Sequence, residues 1–302
     1  MRILVTGANG LLGQKLSQLI LEHPEHHLIA TARAKSHAQL KNIEFHTLDI
    51  TEPHTLMETI RNTKPDVIIN TAAMTMVDKC ELEQEACWIA NVNSMENLVN
   101  VCRTLGTRLV HVSTDFIFDG SHGPLDEQAT PNPVNFYGKS KLAAEQILIG
   151  SDIDYCILRT VLVYGITQDL GRSNIVLWVK ESLENGKSIQ VVNDQFRTPT
   201  LAEDLAMGCF LAATKNAKGI YNISGSDFMS PYDIAVKTAT HFGLNKSLIK
   251  AVDSTIFKQP ARRPLITGFI IDKAKKELGY KPHTFDEGLA IIAKQISQAV
   301  TS

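Results

Sequence analysis

A tyrosine and a lysine, Tyr137 and Lys141, lie four residues apart at the start of a predicted helix, and this spacing places them on one face of it. A predicted buried strand ends upstream in Ser-Thr-Asp, where Thr114 presents a hydroxyl. A tyrosine can donate a proton to a reacting oxygen, and a nearby ammonium stabilises the phenolate that is left. A threonine hydroxyl can donate a hydrogen bond to an oxygen that gains negative charge. Together these groups could interconvert a carbonyl and an alcohol, although Tyr and Lys at this spacing also occur on plain exposed helix faces.

The elements that must position these side chains follow an alternating pattern in the first half of the chain. Short, continuously apolar runs alternate with longer amphipathic segments, which is typical of strands buried on both faces of a parallel sheet. The runs are residues 3–5, 28–30, 43–48, 67–69, 109–112 and 155–158, and the helical segments are residues 11–21, 83–105 and 137–149. The pattern predicts an α/β fold with a doubly wound parallel sheet of the Rossmann type.

After about residue 160 the alternation becomes less regular. Helices are predicted near residues 175–183, 202–213 and 231–241, and a strand at residues 189–192. We expect residues 1–165, with about 200–223, to form a dinucleotide-binding domain, and residues 166–199 and 224–302 to form a smaller C-terminal α/β substrate-binding region. A cleft is expected where the two meet.

Composition excludes several classes of protein. The 302 residues are 44% hydrophobic and 21% charged, with a net charge of −2, as in a folded globular chain. Basic and acidic residues are interspersed, so the sequence predicts no nucleic-acid or membrane partner. The longest apolar and small run, residues 205–213, is shorter than the roughly 20 residues that span a bilayer. The first apolar run is too short for a signal peptide, which predicts a cytoplasmic protein.

The cysteines and histidines do not form a metal-binding pattern. Five cysteines, with no CxxC pair, favour buried free thiols in a reducing compartment. The ten histidines show no ligand spacing such as HExxH. The sequence therefore predicts no metal site.

A glycine-rich loop directly follows the first predicted strand. Gly7, Gly10 and Gly13 form a GxxGxxG pattern that leads into the first helix. Such a turn allows the backbone to approach a pyrophosphate, which then lies at the helix N-terminus near outward-pointing N–H groups. Gly7 would make the tight turn, Gly10 the close approach and Gly13 the packing of helix on strand. At this place in a βαβ unit, the loop predicts dinucleotide binding over a plain tight turn.

The loop after the second strand bears on the choice of dinucleotide. Many NAD enzymes place an acidic side chain here, about 20 residues beyond the glycines, on the adenosine ribose. This chain has no Asp or Glu between Glu25 and Glu44, but it has Arg33 and Lys35. A guanidinium can bind a 2′-phosphate through charge-assisted hydrogen bonds. The sequence therefore predicts NADPH as the hydride donor, and NADH is left open as a second donor. The alternative interpretation of Arg33 is a plain surface arginine.

Two further segments at the same sheet edge could contact a dinucleotide. Asp49 closes the third strand, where its carboxylate could accept a hydrogen bond from an adenine amino group or cap the helix before Pro53. After the fourth strand, residues 70–73 (Asn-Thr-Ala-Ala) have small side chains where a ligand would pass closely. Neither segment identifies a cofactor by itself.

Taken together, the motifs resemble those of the extended short-chain dehydrogenases/reductases, and more narrowly those of the dTDP-4-dehydrorhamnose reductase family. The resemblance covers nearly the whole chain. Its segments are residues 70–78, 111–120, 131–141, 158–160, 194–195, 198–200 and 261–264, in addition to the glycine loop. It implies reduction of a nucleotide-linked 4-keto-6-deoxy sugar with NADPH, with the sugar nucleotide as partner, and it is compatible with a homodimer.

The resemblance also implies roles for individual residues. The catalytic residues would be Thr114, Tyr137 and Lys141. The cofactor would contact Gly7, Asn9, Gly10, Leu11, Leu12, Gly13, Arg33, Asp49, Ile50, Ala72, Ala73 and Met74, as well as Tyr137 and Lys141. The substrate would contact Val77, Thr114, Asp115, Leu162 and Arg262.

Some positions depart from the family or leave alternatives open. Leu162 stands where the family commonly has a tryptophan near the sugar, which leaves the identity of the sugar open. Arg197 adds a cation that could bind a nucleotide phosphate or pair with Asp194. Arg262 and Arg263 could hold a diphosphate or shape a loop. Asn93 could support a proton relay or bond to the helix backbone.

Two other functions fit the same motifs. One is a reductase or epimerase that acts on another nucleotide sugar. The other is a non-catalytic regulatory subunit, because the scaffold also resembles the beta subunit of methionine adenosyltransferase. The intact set of Thr114, Tyr137 and Lys141 favours an enzyme.

Overall fold

Seven parallel strands form the central sheet in the computed structural model of the chain, which describes residues 1–35, 43–167 and 174–301. The strands of this sheet are β1 (Arg2–Thr6), β2 (His27–Ala32), β3 (Glu44–Thr47), β4 (Val67–Asn70), β5 (Arg108–Thr114), β6 (Tyr155–Thr160) and β10 (Gly219–Asn222). Separate two-stranded sheets contain β7 (Val163–Tyr164) with β9 (Thr200–Leu201), and β8 (Ile189–Val192) with β11 (Ile249–Val252). The order across the sheet is β10-β6-β5-β4-β1-β2-β3. This arrangement confirms the predicted doubly wound α/β fold.

Helices cover both faces of the sheet. They are α1 (Leu11–Leu21), α2 (Pro53–Thr63), α3 (Val77–Leu82), α4 (Gln84–Trp88), α5 (Ser94–Leu105), α6 (Phe136–Ile149), α7 (Ile175–Glu184), α8 (Ala202–Thr214), α9 (Pro231–His241) and α10 (Phe285–Thr301). Two separate apolar cores result, one on each face. Ile3 and Val5 of β1 belong to the core that includes residues of α1 and α8, whereas Leu4 belongs to the core that includes residues of α2, α5 and α6. Burial on both faces is the reason that the strands read as continuous apolar runs.

The predicted helical stretch at residues 83–105 contains an irregularity that its apolar pattern did not reveal. A five-residue π-helical turn, Ile89–Asn93, separates α4 from α5. Such wide turns reorient side chains and are frequent at functional sites. In this chain the turn determines which asparagine side chain faces α6.

The second half of the chain adds small units to the sheet. Strands β8 and β11 pair in parallel, α7 and α9 pack beside them, and β10 returns to the main sheet next to β6. Residues 269–280 contribute side chains to the α1 and α8 core.

The division into a dinucleotide-binding and a substrate-binding region stays a prediction. Across the described residues, the helices are all too short or too polar to cross a bilayer. The five cysteines are buried and free, as predicted.

Candidate active site

The start of helix α6 packs tightly against the segment that follows β5. The Asn135 side chain caps the helix by accepting a hydrogen bond from the Gly138 N–H at 2.8 Å. A side chain at Gly138 would collide with the Phe116 carbonyl oxygen, so only glycine allows this approach. The close packing brings Tyr137, on the first turn of α6, to Thr114 at the end of β5. It therefore brings together two of the three side chains predicted to be catalytic.

The phenol of Tyr137 is buried beside the Thr114 hydroxyl. Its ring packs edge-on against Phe116, with ring centroids 5.6 Å apart. Burial raises the pKa of Tyr137 well above its ordinary value of 10, and the hydrogen bond with Thr114 offsets only part of that effect. The phenol is therefore protonated at neutral pH, which is the state that a proton donor needs.

The ammonium of Lys141 is held from the strand side. Its Nζ donates a hydrogen bond to the Val112 carbonyl oxygen at 2.8 Å and lies 3.1 Å from His111 Nε2. Burial lowers the pKa of Lys141 to about 8, while the charge of Glu145, one turn along α6, acts in the opposite direction. The lysine is thus buried, held in place and still mostly charged at neutral pH.

His111 is part of the site, although it was not identified from the sequence as a functional residue. It lies on β5 three residues before Thr114 and is 2% exposed. Its Nδ1 is 3.2 Å from Asn70 Nδ2, and the Thr6 hydroxyl donates to Asn70 Oδ1 at 2.5 Å. The only signal in the sequence was a histidine inside an otherwise apolar strand.

Asn91, and not Asn93, is the asparagine that faces α6. Asn93 is exposed, whereas Asn91 is 3% exposed on the π-helical turn. Asn91 Nδ2 donates to Ser140 Oγ at 3.0 Å and to the Met74 carbonyl at 3.1 Å, and its Oδ1 accepts from the Met74 N–H at 2.8 Å. Asn91 therefore ties the segment after β4 to the helix that carries Tyr137.

The glycine loop has the geometry that the sequence predicts for it. Gly7 has a φ of 68°, and its carbonyl accepts from the Gly10 N–H at 2.8 Å. A side chain at Gly13 would collide with the Gly7 carbonyl oxygen. Gly10 stands at the N-cap of α1, and Leu11 and Leu12 form the first helical turn. The loop thus leaves the N-terminus of α1 directed at the sheet edge.

The loop after β2 is connected to the glycine loop. Asn9 Nδ2 donates to the carbonyl oxygens of Lys35 at 3.0 Å and Ala34 at 3.4 Å. Arg33 is exposed at the start of this loop. Asn9 therefore holds Arg33 beside the turn where the adenosine end of a dinucleotide would lie.

The other predicted cofactor residues line the same edge. The Asp49 carboxylate accepts from the Thr51 N–H at 2.9 Å and hydroxyl at 2.8 Å, so it caps a turn, while Glu52 occupies the N-cap of α2. The next residue, Ile50, is buried. The Ala72 N–H donates to Thr6 Oγ1 at 3.3 Å, which places the segment Ala72, Ala73 and Met74 across the ends of β1 and β4.

Asp115, a predicted substrate contact, has its carboxylate engaged by other side chains of the protein. The side chain is buried, with Oδ1 accepting from the Thr114 hydroxyl at 3.2 Å and Oδ2 from Thr267 at 2.6 Å. Arg197 Nε lies 3.4 Å from Oδ2. Burial raises the pKa of Asp115, and the charge of Arg197 opposes this. Since its carboxylate is occupied by protein groups, Asp115 holds the 262–267 loop to the end of β5.

Arg197 corrects a second expectation. It was predicted to bind a nucleotide phosphate or to pair with Asp194, but it pairs with Asp115. Its Nη1 donates to the carbonyls of Phe196 at 2.8 Å and Leu265 at 2.9 Å. Asp194 instead accepts from the hydroxyl of Ser254 at 2.6 Å. Arg197 is therefore a buried structural cation.

The remaining predicted substrate residues, Val77, Leu162 and Arg262, lie in three separate segments of the chain. Val77, at the start of α3, packs in the cluster that contains Tyr137. Leu162, between β6 and β7, is 36% exposed and has a φ of 36°, a left-handed conformation that costs energy in a leucine. Arg262 is exposed, and its carbonyl accepts from Asn135 Nδ2 at 2.8 Å. Its neighbour Arg263 pairs with Asp78 on α3.

The described part of the chain contains no cluster of three His, Cys, Asp or Glu side chains that could hold a metal ion. The predicted catalytic side chains supply hydroxyl, phenol and ammonium groups. This arrangement can reduce a carbonyl by protonating the oxygen while a hydride reaches the carbon.

Comparison with known proteins agrees with this geometry. Residues 1–298 match the model of the RmlD substrate binding domain family. A dTDP-4-dehydrorhamnose reductase of Aggregatibacter actinomycetemcomitans is 30% identical over 95% of this chain and 97% of that protein. The methionine adenosyltransferase 2 subunit beta of Xenopus laevis is 32% identical over 83% of this chain and 75% of that protein.

Solved structures resemble the whole chain. The dTDP-4-dehydrorhamnose reductase of Bacillus anthracis in complex with NADP is 28% identical, with a TM-score of 0.86 over 97% of this chain and 99% of that one. The UDP-glucose 4-epimerase of Thermotoga maritima has the same TM-score of 0.86 over 99% of this chain and 100% of that one at 21% identity, which shows a shared fold.

Proposed function

This chain belongs to the RmlD substrate binding domain family, and from that premise we propose that it reduces a nucleotide-linked 4-keto-6-deoxy sugar with NADPH, most simply dTDP-4-dehydrorhamnose to dTDP-L-rhamnose. It is an oxidoreductase of the dTDP-4-dehydrorhamnose reductase type, and NADP is bound in a structure of a related reductase. The observation that carries the proposal is the buried, protonated Tyr137 in contact with Thr114, with charged Lys141 one helical turn along α6.

The residues present fit a dinucleotide. Gly13 packs so closely on Gly7 that any side chain would collide, which leaves the backbone of the loop open to a pyrophosphate at the N-terminus of α1. Leu11 and Leu12 would hold that pyrophosphate through their N–H groups, and Gly10 would let it approach the backbone closely. When bound, NADPH would supply a hydride to the carbonyl carbon.

The adenosine end would be held by the loops around the glycine turn. Arg33 would pair with the 2′-phosphate, and Asn9 would keep its loop in position. Asp49 and Ile50 would face the adenine. The segment Ala72, Ala73 and Met74 would lie along the cofactor, where small side chains permit a close approach.

Three side chains would carry the chemistry at the sugar. The Thr114 hydroxyl, which donates to Asp115 Oδ1 in the structure, would turn to donate to the C4 oxygen, which gains negative charge as the carbon receives the hydride. Tyr137 would transfer its proton to that oxygen, so that the ketone becomes an alcohol and the phenol becomes a phenolate. Lys141 would stabilise the phenolate through its charge and orient the nicotinamide ribose.

The mouth of the site would select the substrate. Val77 and Leu162 would contact the sugar, and the exposed Arg262 would bind the diphosphate through charge-assisted hydrogen bonds. In this proposal residues 1–165, with about 200–223, bind the dinucleotide, and residues 166–199 and 224–302 bind the sugar nucleotide. The enzyme would act in the cytoplasm in dTDP-rhamnose biosynthesis, as a monomer or a homodimer, without a nucleic-acid or membrane partner.

A regulatory role is the second candidate, because beta subunits of methionine adenosyltransferase are as similar in sequence as the reductases. A regulatory subunit has no need of a proton donor. The complete set of Thr114, Tyr137 and Lys141 therefore favours the reductase.

Isotope transfer separates the candidates. Purified protein would be given dTDP-4-dehydrorhamnose and NADPH deuterated at the transferable position of the nicotinamide, and the product would be analysed by NMR. The proposal predicts deuterium at sugar C4 and one NADPH consumed for each sugar. Epimerisation without net loss of NADPH would identify an epimerase, and no conversion despite NADPH binding would favour the regulatory role.

A further inference from the structure

Four polar side chains form a continuous row that begins beside the glycine loop and ends at Lys141. Thr6, Asn70 and His111 are direct neighbours in the register of β1, β4 and β5. Hydrogen-bond distances of 2.5, 3.2 and 3.1 Å link Thr6 to Asn70, Asn70 to His111, and His111 to the Lys141 ammonium. All four residues are at most 2% exposed, so water does not substitute for any link.

The imidazole of His111 is neutral, which restricts the directions that the hydrogen bonds along the row can take. Burial, and secondly the charge of Lys141, hold the pKa of His111 well below 6.5. A neutral imidazole has one N–H and one acceptor nitrogen. An ammonium can only donate. When Lys141 is charged, His111 Nε2 must therefore accept, and its proton must sit on Nδ1.

The proton on His111 Nδ1 then determines the orientation of the Asn70 amide. A protonated Nδ1 needs an acceptor, so the amide of Asn70 must present its oxygen to His111 and its nitrogen to the Thr6 hydroxyl. In the arrangement seen here, Asn70 Nδ2 faces His111 and Oδ1 faces Thr6, which suits an uncharged Lys141 amine that accepts from Nε2–H. The row therefore has two self-consistent sets of hydrogen-bond directions, one for each charge state of Lys141.

We propose that His111 is a positioning residue whose hydrogen bond couples the charge of Lys141 to the orientation of Asn70. In the arrangement seen here Nε2 faces an uncharged amine, and when the Asn70 amide turns its oxygen to Nδ1, Nε2 accepts from the charged ammonium. The inference rests on the proposed function of Lys141. It also connects that lysine to the cofactor side of the site, because Thr6 Oγ1 accepts from the Ala72 N–H at 3.3 Å.

Other groups that face Lys141 are accounted for. Glu145 on α6 and Cys87 on α4 favour its charged form, and burial opposes it. Glu145 is itself paired with Arg159 of β6 at 2.7 Å. Tyr137 lies one turn back on α6 and is protonated. His111 is thus the neutral partner on β5 whose loss removes an acceptor from the ammonium without changing the charge of the site.

Two substitutions separate hydrogen bonding from packing. His111→Gln keeps an acceptor oxygen near the position of Nε2, whereas His111→Leu keeps the bulk and removes the acceptor. His46→Leu serves as the matched control, because His46 lies at the far edge of the sheet on β3, beside Glu44. Thr6→Val is nearly isosteric and tests the row if His111→Leu does not fold.

The readout is the titration of Lys141 itself, followed by NMR of lysine labelled with ¹³C at Cε and assigned by the loss of its signal in Lys141→Met. We expect His111→Leu to lower the pKa of Lys141 by about one unit, Thr6→Val to shift it by a smaller amount, and His111→Gln and His46→Leu to leave it near the wild-type value. An unchanged pKa in His111→Leu or, if that variant does not fold, in Thr6→Val would overturn the inference.

Turnover gives a second, independent readout. The alkaline loss of kcat should move to lower pH in His111→Leu with little change in the KM for the sugar, and His111→Gln should restore the wild-type profile. A loss of kcat that is equal at every pH, and equal in Gln and Leu, would indicate packing only and overturn the inference. The NMR titration needs no substrate, so an inactive wild-type enzyme would refute the proposed function and leave this test intact.

Discussion

Asp78 and Arg263 are joined by two hydrogen bonds, Nη1 to Oδ1 at 2.5 Å and Nη2 to Oδ2 at 2.8 Å, although 185 residues separate them. Asp78 lies on α3, beside the apolar cluster around Tyr137, and Arg263 lies on the loop that Asp115 also anchors. The Arg263 guanidinium holds the pKa of Asp78 below its ordinary value. The pair therefore fixes the 262–267 loop against α3, the helix that also carries Val77 of the Tyr137 cluster.

Removing this pair should weaken binding of the sugar nucleotide. We expect Asp78→Asn to raise the KM for the sugar roughly fivefold, corresponding to about 1 kcal/mol for a partly exposed pair, and to leave the Kd for NADPH unchanged. Because the carboxylate stays ionised down to acidic pH, the effect should be constant between about pH 6 and 9. Steady-state kinetics and NADPH fluorescence titration measure the two quantities.

A double-mutant cycle checks that the effect belongs to the pair. Asp78→Asn combined with Arg263→Gln should raise KM no further than either substitution alone. Fully additive increases would show that the two residues act separately.

Tyr137→Phe tests the proton donor. The variant keeps the ring packed on Phe116 but removes the hydroxyl, so turnover should fall about a hundredfold to ten-thousandfold while NADPH affinity changes little. Tyr155→Phe, at the start of β6, is the control and should retain wild-type activity. If Tyr137→Phe turned over within a few-fold of wild type, another group would have to be the proton donor.

Lys141→Met tests the cost of burying the lysine charge. The pKa of Lys141 is about 8 in the folded protein and 10.5 when exposed, so between these values the unfolded chain binds more protons and stability rises with pH. At pH 7 the buried charge costs about 3 kcal/mol, and Lys141→Met should be more stable than wild type by up to that amount. The difference should disappear by about pH 10.5.

Urea denaturation across this pH range measures the effect. Lys139→Met, at an exposed position two residues earlier on α6, should show no such pH dependence. A Lys141→Met protein less stable than wild type at pH 7 would mean that the contacts of the ammonium outweigh its burial.

Arg33→Ser tests the choice of cofactor. The substitution should raise the KM for NADPH about tenfold and leave the KM for NADH unchanged, because only NADPH carries the 2′-phosphate. Arg103→Ser, whose guanidinium pairs with Asp152 at an exposed position, is the control. Equal loss with both cofactors would place Arg33 away from the phosphate.

The local part of this structure was predictable. Residues 3–5 form a strand because both faces of β1 are buried, and this produces the continuous apolar run. Gly7 and Gly13 have the conformation and packing that their spacing indicated. Tyr137 and Lys141 share one helix, so their relative position follows from helix geometry alone.

The long-range contacts were not predictable in the same way. The partner of Arg197 is Asp115, 82 positions away, and nothing in either segment specifies the other. The role of Asn91 depends on a π-helical turn that shifts which side chain faces α6. His111 contacts Lys141 only because β5 and α6 pack together. The sequence showed a histidine in an apolar strand and gave no other indication of this contact.

The most direct test of the proposed reductase activity is the rate at which purified wild-type protein oxidises NADPH after addition of enzymatically prepared dTDP-4-dehydrorhamnose. The loss of absorbance is followed, and the measurement is repeated with Tyr137→Phe. We predict rapid oxidation that depends on the sugar nucleotide and is lost in the variant. Binding of NADPH with no oxidation by the wild-type protein, or equal oxidation by both proteins, would contradict it.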